Sequence, residues 1–123
     1  MRRTLEVCIV GSGGHASTPH ESNNPILIAS GLIREIGIYD AYAFDSGENT
    51  SIKAVFLQAG VKGNMIPEQA VVRFQLLADR EEVLKKAIEK FEEKTTLYVA
   101  ACGGSAKIYK YKERKQKSEE ETI

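Results

Sequence analysis

One stretch concentrates the groups that could do chemistry. It is Gly11-Ser12-Gly13-Gly14-His15-Ala16-Ser17-Thr18-Pro19, running on to Asn24-Pro25. His15 offers an N–H donor or an imidazolium, which polarises a carbonyl when aimed where negative charge develops. The same side chain could instead simply bond a loop carbonyl. Ser17 offers a hydroxyl, but no Asp or Glu is placed to complete a triad with His15. It reads as a hydroxyl that bonds loop amides, and His20 reads as a surface loop residue. Gly11, Gly13 and Gly14 resemble a phosphate-cradling loop only superficially, because no Lys-Ser/Thr follows them. They permit positive φ and close approach. A second polar stretch runs from Gly60 through Val61-Lys62-Gly63 to Asn64-Met65-Ile66-Pro67. Asn64 either caps a hairpin turn there or touches a substrate. The two stretches are expected to meet. Two histidines and two cysteines, without HxxxH or CxxC spacing, do not point to a metal site built by this chain alone.

The elements around these loops follow from periodicity. Leu5–Val10 alternates Leu5, Val7 and Ile9 against Glu6, Cys8 and Val10, which predicts a strand. Asn24 is a good N-cap and Pro25 suits the first helical position. Ile26, Ala29, Leu32, Ile33 and Ile36 then predict a helix with one buried stripe, stopped by Gly37. Tyr39–Asn49 is expected to be a loop, with Tyr42 and Phe44 packed over the domain edge. Ser51–Ala59 predicts a second strand, with Ile52, Ala54 and Phe56 on one face. Gln69–Leu77 predicts a third, with Val72, Phe74 and Leu76 on one face, and the short connection makes the pair an antiparallel hairpin. Asp79 is expected to cap a second helix whose apolar face is Val83, Leu84, Ala87, Ile88 and Phe91. Its intervening Glu and Lys residues read as a solvated face. Ala106–Lys112 predicts a fourth strand, and 113–123 a charged, disordered tail.

The order β-α-β-β-α-β predicts an α+β, ferredoxin-like fold. Its four-stranded antiparallel sheet would have order 4-1-3-2, with both helices on one face. Strands one and four are then neighbours, an arrangement suited to insertion into another domain. Strands two and four are edges, open to pairing with another chain. The 123 residues suit one domain, and 17 basic against 17 acidic residues give no pull toward nucleic acid or anionic membrane. No run of about 18 apolar residues predicts a membrane span. Met1-Arg2-Arg3-Thr4-Leu5-Glu6 lacks the apolar core of a signal peptide, so Cys8 and Cys102 are expected as buried thiols in the cytoplasm.

Gly14-His15-Ala16-Ser17-x-Pro19, then Asn24-x-Ile26 at a helix start, then Gly60 and Asn64-Met65-Ile66-Pro67 before a strand, resemble the dimerisation (lid) domain of a zinc-dependent metallopeptidase family. That family includes glutamate carboxypeptidase, succinyl-diaminopimelate desuccinylase, acetylornithine deacetylase and aminoacylase. The resemblance spans roughly Leu5 to Lys112, making 1–112 the lid domain. It implies a homodimer whose lids join sheets edge to edge and pack their first helices. In this numbering the interface would use Ile26, Ser30 and Ile33 with Ser51, Lys53, Val55 and Leu57. It implies that His15 reaches the partner subunit's active site and polarises the scissile carbonyl, and that Asn64, with Gly14, helps hold the substrate. Zinc would sit in a catalytic domain that this sequence lacks. The chain is therefore expected to be an excised domain or a product without its catalytic part, inactive alone. Three positions depart from the family pattern: Ser22 stands where Gly is usual and Pro25 where Ala is. At the end of the third strand, Leu77 stands where the family commonly carries an Arg that grips a substrate carboxylate. A small binding module of the same fold, without hydrolase activity, is the alternative reading. An RNA-binding version is poorly supported, because strand one has no stacking aromatic and strand three only Phe74.

Overall fold

The computed structural model describes residues 1–11, 14–15, 23–44, 49–60, 63 and 65–112. Alternating β-branched and apolar residues build β1 (Arg2–Val10), β3 (Ser51–Ala59) and β5 (Gln69–Leu77), and β6 (Ser105–Lys110) completes a four-stranded sheet. The order is β3-β5-β1-β6 and the three strand pairings are antiparallel. Helices α1 (Pro25–Ala43) and α2 (Glu81–Ala101) supply the rest of the ferredoxin-like α+β fold. Two short strands, β2 (Gly14–His15) and β4 (Met65–Ile66), form a separate ladder.

The core is the helix-facing side of the sheet. Leu5, Val7 and Ile9 of β1 and Val72, Phe74 and Leu76 of β5 are buried, as their alternation predicts. They pack against Ile28, Leu32 and Ile36 of α1 and Leu84, Phe91 and Val99 of α2. The Phe74 and Phe91 rings meet edge to face, with centroids 4.9 Å apart. One core group is out of keeping. The Thr95 side chain on α2 is fully buried, and its hydroxyl has no hydrogen-bond partner among the described residues. An unpaired buried hydroxyl costs free energy that an isosteric methyl does not. Thr95→Val is expected to stabilise the chain by about 1 kcal/mol, read as a raised urea midpoint at unchanged slope. A lowered midpoint would show that the hydroxyl is satisfied.

Several expectations need correction. Helix α1 does not stop at Gly37 but continues to Ala43. Mid-helix Gly costs roughly 1 kcal/mol, and tertiary contacts outweigh it. Tyr39 packs on the core with its ring 5.6 Å from that of Phe44, and Asp40 bonds to β3. Tyr42 is accordingly a helical residue, 74% exposed, rather than packed over the edge. Strand β3 has a bulge between Ala54 and Phe56, so Phe56 pairs with Arg73 and moves to the face opposite Ile52. There its ring covers one side of the Arg73 guanidinium at 4.0 Å, Tyr111 covers the other at 4.0 Å, and Glu6 accepts from Arg73 Nε at 2.9 Å.

The α2 N-cap is Arg80, not Asp79. Met1 exchanges backbone bonds with Ala78, extending the ladder beyond Leu77 and delaying the helix start. Strand β6 spans Ser105–Lys110 instead of Ala106–Lys112. Cys8 and Cys102 are free but only half-buried, because Cys8 lies on the open sheet face beside Gln69 and Cys102 at the end of α2. Gly31 lets the Tyr98 hydroxyl lie against α1. Burial raises that hydroxyl's pKa, helped by a hydrogen bond and charge from Cys102 and by the Glu35 carboxylate, so it stays protonated. The expected tail, 113–123, lies outside the described residues.

Candidate functional site

The candidate site is built where four chain segments converge. β1 ends at Val10, and the Gly11 N–H donates to the Glu68 carbonyl at 2.9 Å. No other residue fits at position 11, because a Cβ there would land on the Asn23 carbonyl oxygen. The chain returns at Asn23, whose Nδ2 donates to the Gly103 carbonyl at 2.7 Å. Gly103 holds φ at +87°, a conformation that favours glycine, and so closes the α2–β6 turn against the same corner. One residue later Asn24 caps α1 by accepting the Ile26 N–H at 3.0 Å, with Pro25 at the first helical position. Both ends of the 11–25 loop are thereby fixed.

The two polar stretches do meet. β2 and β4 pair antiparallel, with Gly14 opposite Ile66 and His15 opposite Met65. Ile66 is buried and anchors the ladder, while Met65 is exposed. The backbone of the His15 segment is thus held against the turn that carries Asn64. The Asn64 position and the Ser17 and His20 positions lie outside the described residues, as do the roles expected of the His15 side chain. Leu77, at the position where the resemblance leads one to expect an Arg, ends β5 opposite Arg2 and Ser51. Arg80 is spent on Glu82 at 2.9 Å. Among the described residues no group of three or more His, Cys, Asp or Glu side chains is placed to hold a metal ion. Among the described residues no helix is long and apolar enough to cross a membrane.

The expected interface residues divide between α1 and the edge strand β3. Ile26, Ile33 and Asp40 are seven apart and lie nearly in line along α1. Asp40 places that line beside the β3 edge, accepting the Ile52 N–H at 2.7 Å and the Lys53 ammonium at 2.8 Å. Ile26 and Ser30 are exposed, and Ile33 is half-buried against the core. On the strand, Val55 is 53% and Leu57 47% exposed, Lys53 is exposed and Ser51 half-buried. The Asp40 clamp is the residue that sequence reasoning missed. An Asp twelve residues before its partner Ile52 leaves no short-range signal, and the composition of Tyr39–Asn49 is that of a loop.

The profile of the M20 peptidase dimerisation domain matches residues 2–96. The chain is 27% identical over 107 residues to N-acetylcysteine deacetylase of Bacillus subtilis, covering 87% of this chain and 28% of that protein. It is 30% identical over 83 residues to thermostable carboxypeptidase 2 of Saccharolobus solfataricus, covering 68% of this chain and 21% of that one. Among solved structures, a hydantoinase/carbamoylase family amidase from Burkholderia ambifaria shares the fold with a TM-score of 0.79 at 14% identity. That likeness covers 90% of this chain and 27% of the amidase. The chain thus spans between about a sixth and three tenths of the length of the curated relatives it matches.

Proposed function

Because the chain belongs to the M20 peptidase dimerisation domain family, we propose that it works as the dimerisation and active-site lid module of a zinc-dependent amidohydrolase or carboxypeptidase. The observation that carries this reading is the unpaired β3 edge beside the Ile26–Ile33 flank of α1. A second copy related by a two-fold axis would extend the sheet across β3 and pack α1 on α1. Sheet extension satisfies edge backbone groups, and helix packing removes Ile26 and Ile33 from water.

The lid half of the reading rests on the loop. β2–β4 pairing fixes the backbone at His15, and its side chain would present a donor to a carbonyl oxygen in the partner subunit's site. Asn64, next to β4 in sequence, and Gly14, on β2, would hold the substrate. Zinc, held by the catalytic domain of the parent, would supply an activated water. This chain's part is to position, to donate a hydrogen bond and to exclude solvent. Neighbouring β1 and β6 suit insertion of the module into that domain.

The small binding module of the alternative reading loses its one RNA argument, because Phe74 points into the core. The lid reading is tested by exchanging residues 2–112 for the aligned segment of the Bacillus subtilis N-acetylcysteine deacetylase. The chimera is expected to sediment as a dimer and to keep hydrolysing N-acetylcysteine. A dimeric but inactive chimera would remove the lid role, and a monomeric one the whole reading.

A further inference from the structure

We infer that Asp40 sets the register in which a second copy of this chain adds to the sheet. It closes the first residues of the β3 edge and leaves Val55–Ala59 as the pairing segment, with the two-fold axis near Leu57. The inference rests on the dimer reading above and deepens it.

Ile52 lies opposite Leu76 in the β3–β5 ladder, yet its N–H donates to the Asp40 carboxylate. It therefore points away from β5, to the open edge. In an antiparallel ladder such outward positions alternate, so Ala54 is the next one. The bulge between Ala54 and Phe56 shifts the alternation, and Leu57, opposite Val72, and Ala59, opposite Ala70, become the outward positions beyond it. No hydrogen bond from a described side chain covers those two.

At Ile52 the edge is occupied. Asp40 Oδ1 takes the backbone N–H and Oδ2 takes the Lys53 ammonium at 2.8 Å, and the Asp40 side chain is only 8% exposed. A strand arriving there would have to strip a largely buried carboxylate of charge-assisted bonds, which are stronger than the neutral ones it would bring. Beyond the bulge no described strand pairs with the edge, and Val55 and Leu57 offer exposed apolar side chains. A short free segment between a side-chain clamp and Gly60, which holds φ at +91°, leaves one antiparallel overlap rather than several.

Amide exchange of the unmodified chain at rising concentration tests this without a variant. Protection of the Ile52 amide is expected to be independent of concentration. The Leu57 amide is expected to slow by about tenfold or more as the dimer forms. Cross-linking tests it again in a Cys8→Ser, Cys102→Ser background. Leu57→Cys is expected to form an inter-chain disulfide and Ser51→Cys to form none. Adding Asp40→Ala is expected to let Ser51→Cys cross-link, whereas Asp40→Asn, which keeps an acceptor for Ile52, is not. A dimer in which Ile52 gains protection with concentration, or in which Leu57 does not, would overturn the register. Ser51 cross-linking equally with Asp40 present or absent would overturn the role of Asp40. A chain that stays monomeric would instead remove the dimer reading, and this inference with it.

Discussion

His15→Ala, made in a metal-bearing chimera that carries this domain, is expected to lower kcat by roughly 10²–10³ while KM changes little. The split follows from where the donor acts. An N–H aimed at the position of the developing oxyanion contributes little to the ground-state carbonyl and more as charge builds. Placement matters as much as identity, and the backbone provides it. Gly11 is pinned to Glu68, β2 is laddered to β4, and Asn24 fixes the return of the chain. Because the loop is proposed to act across the dimer, a complementation readout separates catalysis from folding. His15→Ala subunits mixed with subunits whose metal site is disabled are expected to regain activity, because each mixed dimer pairs one intact metal with one intact His15. Activity that never returns on mixing, with mixed dimers verified, would place the histidine's action within its own subunit.

Phe74→Ala is expected to cost about 3–5 kcal/mol. Phe74 is wholly buried on the central strand β5, faces Leu5 and Ala54 across the two ladders, and meets Phe91 edge to face. Removing the ring leaves a cavity where sheet and α2 join, and neither can collapse without breaking a ladder. Against a domain stability of about 5–15 kcal/mol, that loss takes a large fraction of the folded population's margin. Phe56→Ala is the informative control. Because the bulge turns Phe56 to the open face, its loss removes one of two rings on Arg73 and leaves the core intact. It should cost markedly less by urea denaturation. Equal losses at the two positions would contradict the placement of Phe56.

These contrasts show what the chain makes legible. Alternation at Leu5, Val7 and Ile9 identifies a strand and its buried face because that face is set by one strand's own period. Asn24-Pro25 identifies a helix start because capping is local. The sheet order follows from element order and crossover rules. Other features depend on distant partners. Ile52, Ala54 and Phe56 alternate regularly, and only the pairing with β5 reveals the extra residue at Val55. Gly37 carries the composition of a stop, but Tyr39 on the core and Asp40 on β3 hold the helix together past it. Asp79 is the better cap residue, yet Met1 on Ala78 decides where the strand ends. Strands of two residues, β2 and β4, are too short for any period to mark. The meeting of the two polar loops was legible as an expectation; their register, His15 on Met65, was not.

The central claim, that this chain is a self-associating module, is tested most directly by sedimentation equilibrium of the unmodified chain over a wide concentration range. A monomer–dimer equilibrium that saturates at two chains is predicted, and a chain that remains monomeric at the highest concentrations would contradict it.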